Sequence, residues 1–454
     1  MHFIFFFVPF IIGSLIKDPI ISYFVSWGGS ISLILYSIYL YHHISEQKLR
    51  FFNPLILSQG LFWGYTAVTS IFFFLSNMGY VFFEKLNFAN PYVIADLSKT
   101  QNIIVFAHGA YLFGFFLKKV KQIKNKTTQY IINIEPEDYL KLSLISMGIG
   151  YIITFTPFAQ LSTYLTIFST ICAVKYFGYS LSYQHLALKG FLYFGGIMII
   201  GFLSGMKENT LFPLIFLSII LFDKIGLLKT SIIFIPLIAL YFYFIPTLNV
   251  AVRQAAWYGN KGALETLSSL KSEQTFDKEV IKNNNWSFLT TRLSEVSMLN
   301  IYISSVPKYR PYYKFEIIKY GIQSLIPRFL WPGKQSPDVT AQKRAVENGA
   351  LTLNSPQDFT SAKPQTIADA YMSFGMIGVL VVFILFGFLV HYFADLLERK
   401  LGYEFGLSIM FYSLFAILSK GGCFENLFNT VFFGFILIFI AIKVLLQFHY
   451  IEER

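Results

Sequence analysis

The chain is poor in charged residues, which make up only 13% of its 454 positions, whereas hydrophobic residues make up 55%. Soluble domains carry about a quarter charged residues, so this composition excludes an ordinary soluble domain. Hydrophobic runs of about 17–25 residues recur along nearly the whole sequence. Together with the mean hydropathy of +0.56, they predict an all-α polytopic membrane protein.

Several chemical signatures are also missing. The two cysteines, Cys172 and Cys423, give neither a disulfide framework nor a metal-binding spacing. The segment 251–371 contains no histidine and no Asp-x-Asp pair, and no phosphate-binding glycine loop occurs. We therefore predict no metal and no cofactor. The basic residues do not form one stripe, so no nucleic-acid partner is predicted.

The basic residues predict the orientation of the spans. Residues 118–126 include a cluster of lysines that belongs in the cytoplasm by the positive-inside rule. When the spans are alternated from this cluster, both termini also lie in the cytoplasm. The N-terminus has neither a basic leader nor a small-residue cleavage site, so we expect it to be a retained first span. About twelve spans are predicted, at 2–16, 20–41, 53–75, 102–117, 140–157, 159–181, 190–205, 210–222, 231–250, 372–394, 404–419 and 427–448.

This orientation places one long polar segment outside the cytoplasm, in the periplasm if the cell is Gram-negative. The predicted regions are 1–250, with about nine transmembrane helices, 251–371, a large extracytoplasmic loop with short helices, and 372–454, with about three transmembrane helices. A loop of this length usually carries function or is disordered. Its many aromatic and aliphatic residues favour a folded loop. The helical spacing of apolar residues over 289–303 fits either a helix on the membrane surface or a core helix of the loop.

Five arginines in this loop are candidates for binding phosphate: Arg253, Arg292, Arg310, Arg328 and Arg344. A guanidinium group grips phosphate through two parallel hydrogen bonds, and we expect at least two of the five to do so. The alternative for each arginine is an ion pair with a nearby carboxylate, such as Glu295 or Asp369. If the reaction needs a general base, it should be a carboxylate: Glu295, Asp369 or Glu208.

Two predicted outer turns carry further cations, Lys207 and Lys420. Ionisable groups beside the bilayer are costly and often functional. The alternative is that Lys207 only extends toward the membrane surface and that the glycines after Lys420 only turn the chain.

Four short pieces, 205–207, 326–334, 373–378 and 420–421, resemble motifs of the Wzy-type polymerases of bacterial surface polysaccharides. The most telling piece contains Pro327 and Arg328, followed by Trp331, Pro332 and Lys334. Lys207 and Lys420 stand where that family often has arginine.

This resemblance implies a GT-C-like fold in the inner membrane of a bacterium, shared with O-antigen ligases and cell-wall glycan polymerases. It implies metal-independent transfer of a glycan from an undecaprenyl-diphosphate carrier to an acceptor sugar. Lipid-linked oligosaccharides would be both donor and acceptor, in contact with membrane lipid. A chain-length regulator and a flippase are candidate partners.

The charge that develops on the departing diphosphate indicates which residues should act. Fixed guanidinium groups in a partly dry site stabilise that charge where it grows. The predicted catalytic residues are Arg328 and Arg253 at the diphosphate, with Glu295 or Asp369 at the attacking hydroxyl. The predicted substrate-binding residues are Arg292, Lys334, Lys207, Lys420 and Trp331.

Two other functions fit the same composition. An O-antigen ligase performs the same chemistry on a lipid A-core acceptor, but ligases resembling that family usually rely on a histidine in the outer loop. A flippase or secondary transporter is expected to carry ionisable groups in mid-span. His108 and Lys175 are among the few candidates for such groups.

Overall fold

The chain is almost entirely helical in the part that a computed structural model describes. The described residues are 2–45, 53–117, 129–156, 161–182, 184–204, 207–254, 265, 277–327, 330–352, 363–402, 406 and 422–454. A 3₁₀ helix covers His2–Phe7, and π-helical turns cover Gln59–Val68 and Phe288–Arg292. Four short strands lie at Tyr80–Val81 (β1), Glu84–Lys85 (β2), Tyr130–Ile132 (β3) and Ile451–Glu453 (β4). β1 and β2 pair antiparallel.

The helices are numbered in chain order. They are α1 Val8–Leu15, α2 Pro19–Ser45, α3 Pro54–Ser58, α4 Ser70–Asn77, α5 Pro91–Leu117, α6 Pro136–Ile153, α7 Ser162–Ser180, α8 Gln184–Leu203, α9 Lys207–Ile225, α10 Leu227–Val252, α11 Lys278–Ser287, α12 Val296–Ser305, α13 Glu316–Ser324, α14 Pro337–Glu347, α15 Thr366–Leu401 and α16 Phe424–Gln447.

Seven helical stretches of the described chain are long and apolar enough to cross a membrane. They are Pro19–Ile44, Pro54–Asn77, Pro91–Leu117, Leu186–Leu203, Leu228–Val252, Thr366–Leu401 and Phe424–Gln447. Shorter apolar helices lie at Phe3–Leu15 and Asn209–Phe222. The chain is therefore a multi-pass helical membrane protein, as its composition predicts.

The predicted spans can be compared with these helices one by one. All of them overlap a described helix except the span at 404–419, which lies outside the described residues apart from Gly406. α5 begins at Pro91, well before the predicted start at 102. The count of about twelve spans remains a prediction, since seven stretches meet the length and composition required.

The helices form two compact units. The first contains residues 1–131, 290–448 and 452–454, and the second contains 132–289 and 449–451. The predicted outer loop is thus divided, with 251–289 in the second unit and 290–371 in the first.

In the first unit, α5 and α15 lie side by side and run in the same direction. The rings of Tyr111 and Phe386 are 5.5 Å apart, and further along His391 Nδ1 donates a hydrogen bond to the Phe115 carbonyl at 2.7 Å. Two parallel neighbours begin on the same side of the membrane. α5 and α15 are the fourth and tenth predicted spans, and the predicted topology also gives these two spans the same direction.

The chain from α3 to α4 runs opposite to α5, and buried polar pairs join the two. Gln59, near the beginning of that stretch, lies 2.7 Å from His108, whereas Ser70, further along, donates to Gln101 at 3.0 Å. Tyr23 of α2 lies 2.9 Å from the Ser70 hydroxyl. Polar side chains between membrane helices pair with one another because lipid offers them no partner.

α12 is a core helix of the first unit, which favours the core alternative for the second half of the predicted helical spacing over 289–303. The first half does not continue this helix, because Glu295 has a left-handed conformation (φ 52°). Val296, Leu299 and Ile303 are buried on one face. Beside them, Thr100 of α5 donates a hydrogen bond to Asn300 at 2.8 Å. Thr100 precedes the predicted start at 102, so this contact shows that α5 extends beyond its predicted span to pack against α12.

In the second unit, hydrogen bonds join neighbouring helices. Ser143 of α6 donates to the Ser169 carbonyl of α7 at 2.6 Å. Thr210 of α9 lies 2.9 Å from the Tyr241 hydroxyl of α10. α11 follows α10 and is fixed to it by Asn285, which donates to the Tyr243 carbonyl at 3.1 Å.

We predict that Gly387→Ala lowers the melting temperature of the detergent-solubilised protein. A Cβ atom at Gly387 would overlap the Tyr111 carbonyl oxygen, so α5 and α15 would have to separate. Gly195→Ala in α8 is the matched control, because a Cβ there meets nothing within 4 Å and alanine is the better helix former. Equal melting temperatures for the two variants would contradict the close contact.

Candidate functional site

The beginning of α15 is the element on which the polar part of the first unit is built. Between Thr366 and Ser373 the helix carries polar residues, whereas the fifteen residues that follow Gly375, 376–390, are all apolar. Backbone angles depart from the helix at Phe374 (φ −143°, ψ 25°) and Gly375 (φ 60°, ψ −140°). The kink therefore separates a polar head, Thr366–Ser373, from the apolar part of the helix.

Gly375 is needed at this kink. Its φ and ψ lie in a region that is essentially restricted to glycine. A Cβ atom at this position would also press on the Tyr312 hydroxyl. The sequence around 373–378 thus encodes both the end of the polar head and the close approach of the chain near Tyr312.

A buried ion cluster joins α14 to the beginnings of α15 and α16. Arg344 of α14 donates to Glu425 through both terminal nitrogens, with Nη1–Oε1 and Nη2–Oε2 distances of 2.7 Å. This two-point geometry is the strongest that a guanidinium and a carboxylate can form. Thr340, one helical turn earlier, donates to the same carboxylate at 2.8 Å.

Asp369, in the polar head of α15, is the second carboxylate of the cluster. Its Oδ1 lies 3.2 Å from Arg344 Nε, and its Oδ2 accepts the Phe424 backbone N–H at 2.8 Å. Arg344 and Glu425 are each 1% exposed and Asp369 is fully buried. One guanidinium thus faces two carboxylates in a site without solvent contact.

The cluster keeps Arg344 charged. Burial works to lower the pKa of Arg344, but Asp369 and Glu425 outweigh it, and that pKa lies above its usual value. Burial, together with the negative charge of Asp369, raises the pKa of the nearby Tyr302 hydroxyl, which stays neutral. The arrangement is suited to holding three helices together, because none of its charged groups reaches the surface.

Two further contacts brace the same region. Lys334 Nζ donates to the Ser324 carbonyl at 2.8 Å and to that of Ile326, so it caps the C-terminal end of α13. Tyr313 donates to Glu347 at the end of α14 at 2.9 Å.

The predicted residues of the first unit that the structure describes fall into two groups. Asp369 and Lys334 are engaged in the contacts above. Arg292 and Trp331 are exposed, Trp331 to 41%, and Glu295 is half-buried in a left-handed conformation (φ 52°) just before α12.

The other predicted residues lie elsewhere. Arg328 and Lys420 are outside the described residues. Lys207 begins α9, but its side chain is also outside the description. Arg253 follows α10 in the second unit and is half-buried. The structure brings Asp369 together with Arg344, which fits the alternative prediction of an ion pair for that arginine.

Glu425 and the bracing role of Arg344 were not predicted. A carboxylate in the first turn of an apolar helix is costly in a membrane and requires a partner, so Glu425 could have been recognised as paired. Arg344 shares a helical face with Thr340 and Ala341, small residues that allow close packing. No signal in the sequence identifies which arginine pairs with Glu425. In the described part of the chain, no three His, Cys, Asp or Glu residues are grouped so that they could hold a metal ion.

A family model described as a domain of unknown function (DUF8712) matches residues 8–453, nearly the whole chain. No curated protein and no solved structure matches this chain.

We predict that Arg344→Met destabilises the protein by about 3–5 kcal/mol, because it leaves two carboxylates buried without their cation. Unfolding of the purified protein in denaturant, followed by tryptophan fluorescence, measures this change. Lys343→Met is the matched control: Lys343 is the exposed neighbour, 3.9 Å from Glu347, and should contribute about 0–1 kcal/mol. Similar losses for the two variants would show that the cluster does not hold the helices.

Proposed function

We propose that this chain, which belongs to the family described as a domain of unknown function (DUF8712), polymerises undecaprenyl-diphosphate-linked oligosaccharide repeat units by metal-independent glycosyl transfer. The reaction takes place at the outer face of a bacterial inner membrane. Both termini lie in the cytoplasm, and residues 251–371 lie in the periplasm or outside the cell.

The observation that carries this proposal is the buried anchoring, on membrane helices, of the described part of 290–371, which is the part of the polar segment that belongs to the first unit. Arg344 links α14 to the first turns of α15 and α16, both of which continue as apolar stretches. A segment fixed in this way presents its polar groups at a constant depth beside the bilayer. An enzyme that acts on a lipid-linked sugar needs this placement, whereas a simple connecting loop does not.

The contact of Lys334 supports a role for Arg328. Lys334 holds the Ser324 and Ile326 carbonyls, which lie just ahead of Pro327 and Arg328 in the sequence. Lys334 therefore acts as a positioning residue that fixes the chain leading to Arg328, rather than as a direct phosphate ligand.

The chemistry follows from the charges. As the anomeric C–O bond breaks, its electron pair passes to the diphosphate oxygen, and Arg328 stabilises the growing negative charge. The acceptor hydroxyl forms the new bond to the anomeric carbon and gives up its proton. Glu295 accepts this proton, because Asp369 is buried and paired with Arg344.

The surroundings of His108 favour this reading over a transporter. Its ring stacks on Trp63 at 4.4 Å, and Nε2 lies 2.7 Å from Gln59. The histidine is fully buried among these side chains. A packed histidine of this kind stabilises the helix contact.

We predict that Arg328→Ala abolishes polymer formation. In a strain lacking the chromosomal gene, the wild-type chain restores the ladder of surface polysaccharide on a gel, whereas the variant leaves a single capped repeat unit. Lys343→Ala is the control for a lost exposed charge, and immunoblots of membranes verify equal amounts of protein. Unchanged chain lengths with Arg328→Ala would refute the role of Arg328.

We also predict that Lys334→Met shortens the ladder and that Lys334→Arg retains most of it. Methionine removes the cation that binds the two carbonyls, whereas arginine can still donate to them. The mean number of repeats read from the gel is the measurement. If both variants behave alike, the bonds to Ser324 and Ile326 do not position the site.

A further inference from the structure

A basic and aromatic segment, Pro307–Phe315, connects α12 to α13. It carries Lys308, Arg310 and Lys314 and contains no acidic residue. All three cations are exposed. Their charges are thus concentrated on one short stretch of surface.

This segment is fixed to the polar head of α15. The Tyr313 and Lys314 backbone N–H groups donate to the carbonyls of Met372 and Ser373 at 2.9 and 3.0 Å. The Phe315 ring meets the Phe374 ring edge-on at 4.9 Å. These bonds end at the kink, so the segment is held where the polar head gives way to the apolar part of the helix.

The position of the kink sets the depth of the segment in the membrane. The part of α15 after the kink, 376–401, has 26 residues, about 39 Å at 1.5 Å per residue, which is enough to cross the roughly 30 Å of hydrocarbon in a bilayer. The apolar part begins after Gly375, so the bilayer begins near the kink. The segment therefore lies at the level of the lipid headgroups.

The exposed aromatic residues agree with this depth. Tyr309 is 73% exposed and Phe315 is 71% exposed. Tyrosine side chains are enriched where the membrane meets water, because the ring is apolar and the hydroxyl group can reach water.

The neighbouring carboxylates leave the three cations available. Among the described ion pairs, none involves Lys308, Arg310 or Lys314. Glu316 accepts a hydrogen bond from Tyr320, and Glu347 accepts one from Tyr313. Asp96 of α5 attracts Lys308 but forms no ion pair with it.

We propose that Pro307–Phe315 binds the phosphate groups of anionic phospholipids at the membrane surface, with Lys308, Arg310 and Lys314 as the phosphate-binding residues. A reacting diphosphate requires a partly dry site, whereas these side chains are exposed. Exposed cations beside a membrane helix suit a bilayer headgroup such as that of phosphatidylglycerol. The proposal does not depend on the enzymatic function.

The test measures binding of fluorescent phosphatidylglycerol and phosphatidylcholine to the full chain in neutral detergent. The variant K308Q/R310Q/K314Q removes the three cations. The matched control K141Q/K278Q/K282Q removes three exposed lysines of the second unit, so both variants lose the same net charge. Thermal melting verifies that each remains folded, and Arg310→Gln alone replaces the triple variant if that variant melts early.

We expect the wild type and the control to prefer phosphatidylglycerol over phosphatidylcholine. A basic residue near an anionic lipid surface changes binding about fivefold, so the triple variant should lose on the order of 100-fold in affinity for phosphatidylglycerol and the single variant about fivefold. Raising the salt concentration should weaken the preference in the wild type, because the cations are exposed.

Three results would overturn the proposal. One is equal binding of the two lipids by the wild type, and another is equal loss in the variant and its control. The third is displacement of phosphatidylglycerol by micromolar inorganic pyrophosphate, which would identify a site for a free diphosphate instead of a lipid surface. The polysaccharide ladder reports on the enzymatic function separately, so failure of one proposal does not imply failure of the other.

Discussion

The ion cluster of Arg344 with Glu425 and Asp369 is the interaction on which the polar part of the molecule depends. Burying a guanidinium group costs several kcal/mol unless carboxylates surround it, and here both partners lie at the beginnings of apolar helices. The guanidinium can be satisfied only when α14 lies against those beginnings. The charge requirement therefore fixes where the polar residues of the first unit lie relative to these helices.

The remaining features of the first unit fit this constraint. α5 and α15 run in the same direction, so their polar first turns lie at the same end, and α12 packs against α5 through Thr100 and Asn300. Gly375 lets the chain bend between polar head and apolar helix. The result is a polar body that packs on several membrane helices. Such a body suits both a lipid-linked substrate and the surrounding lipid.

The sequence predicts those features of this fold that depend on one segment alone. Apolar runs identify nearly every described membrane helix, because length and hydropathy are properties of a single segment. The beginning of α5 was predicted too late, since Ser98 and Thr100 read as polar but are buried within the first unit. Arg344 and Glu425 are 81 positions apart, and only tertiary structure decides that they pair. Asp369 was recognised as a candidate base because it is a carboxylate of the predicted outer loop, but its pairing was recognised only as an alternative.

Amide hydrogen exchange of the detergent-solubilised protein, followed by mass spectrometry, tests most directly whether the polar segment is a fixed body. If the Arg344 cluster anchors it, peptides covering α14 and the head of α15 exchange as slowly as those of α5, over hours. Exchange of these peptides within seconds, while α5 remains protected, would show that the segment is a mobile loop and would contradict the account.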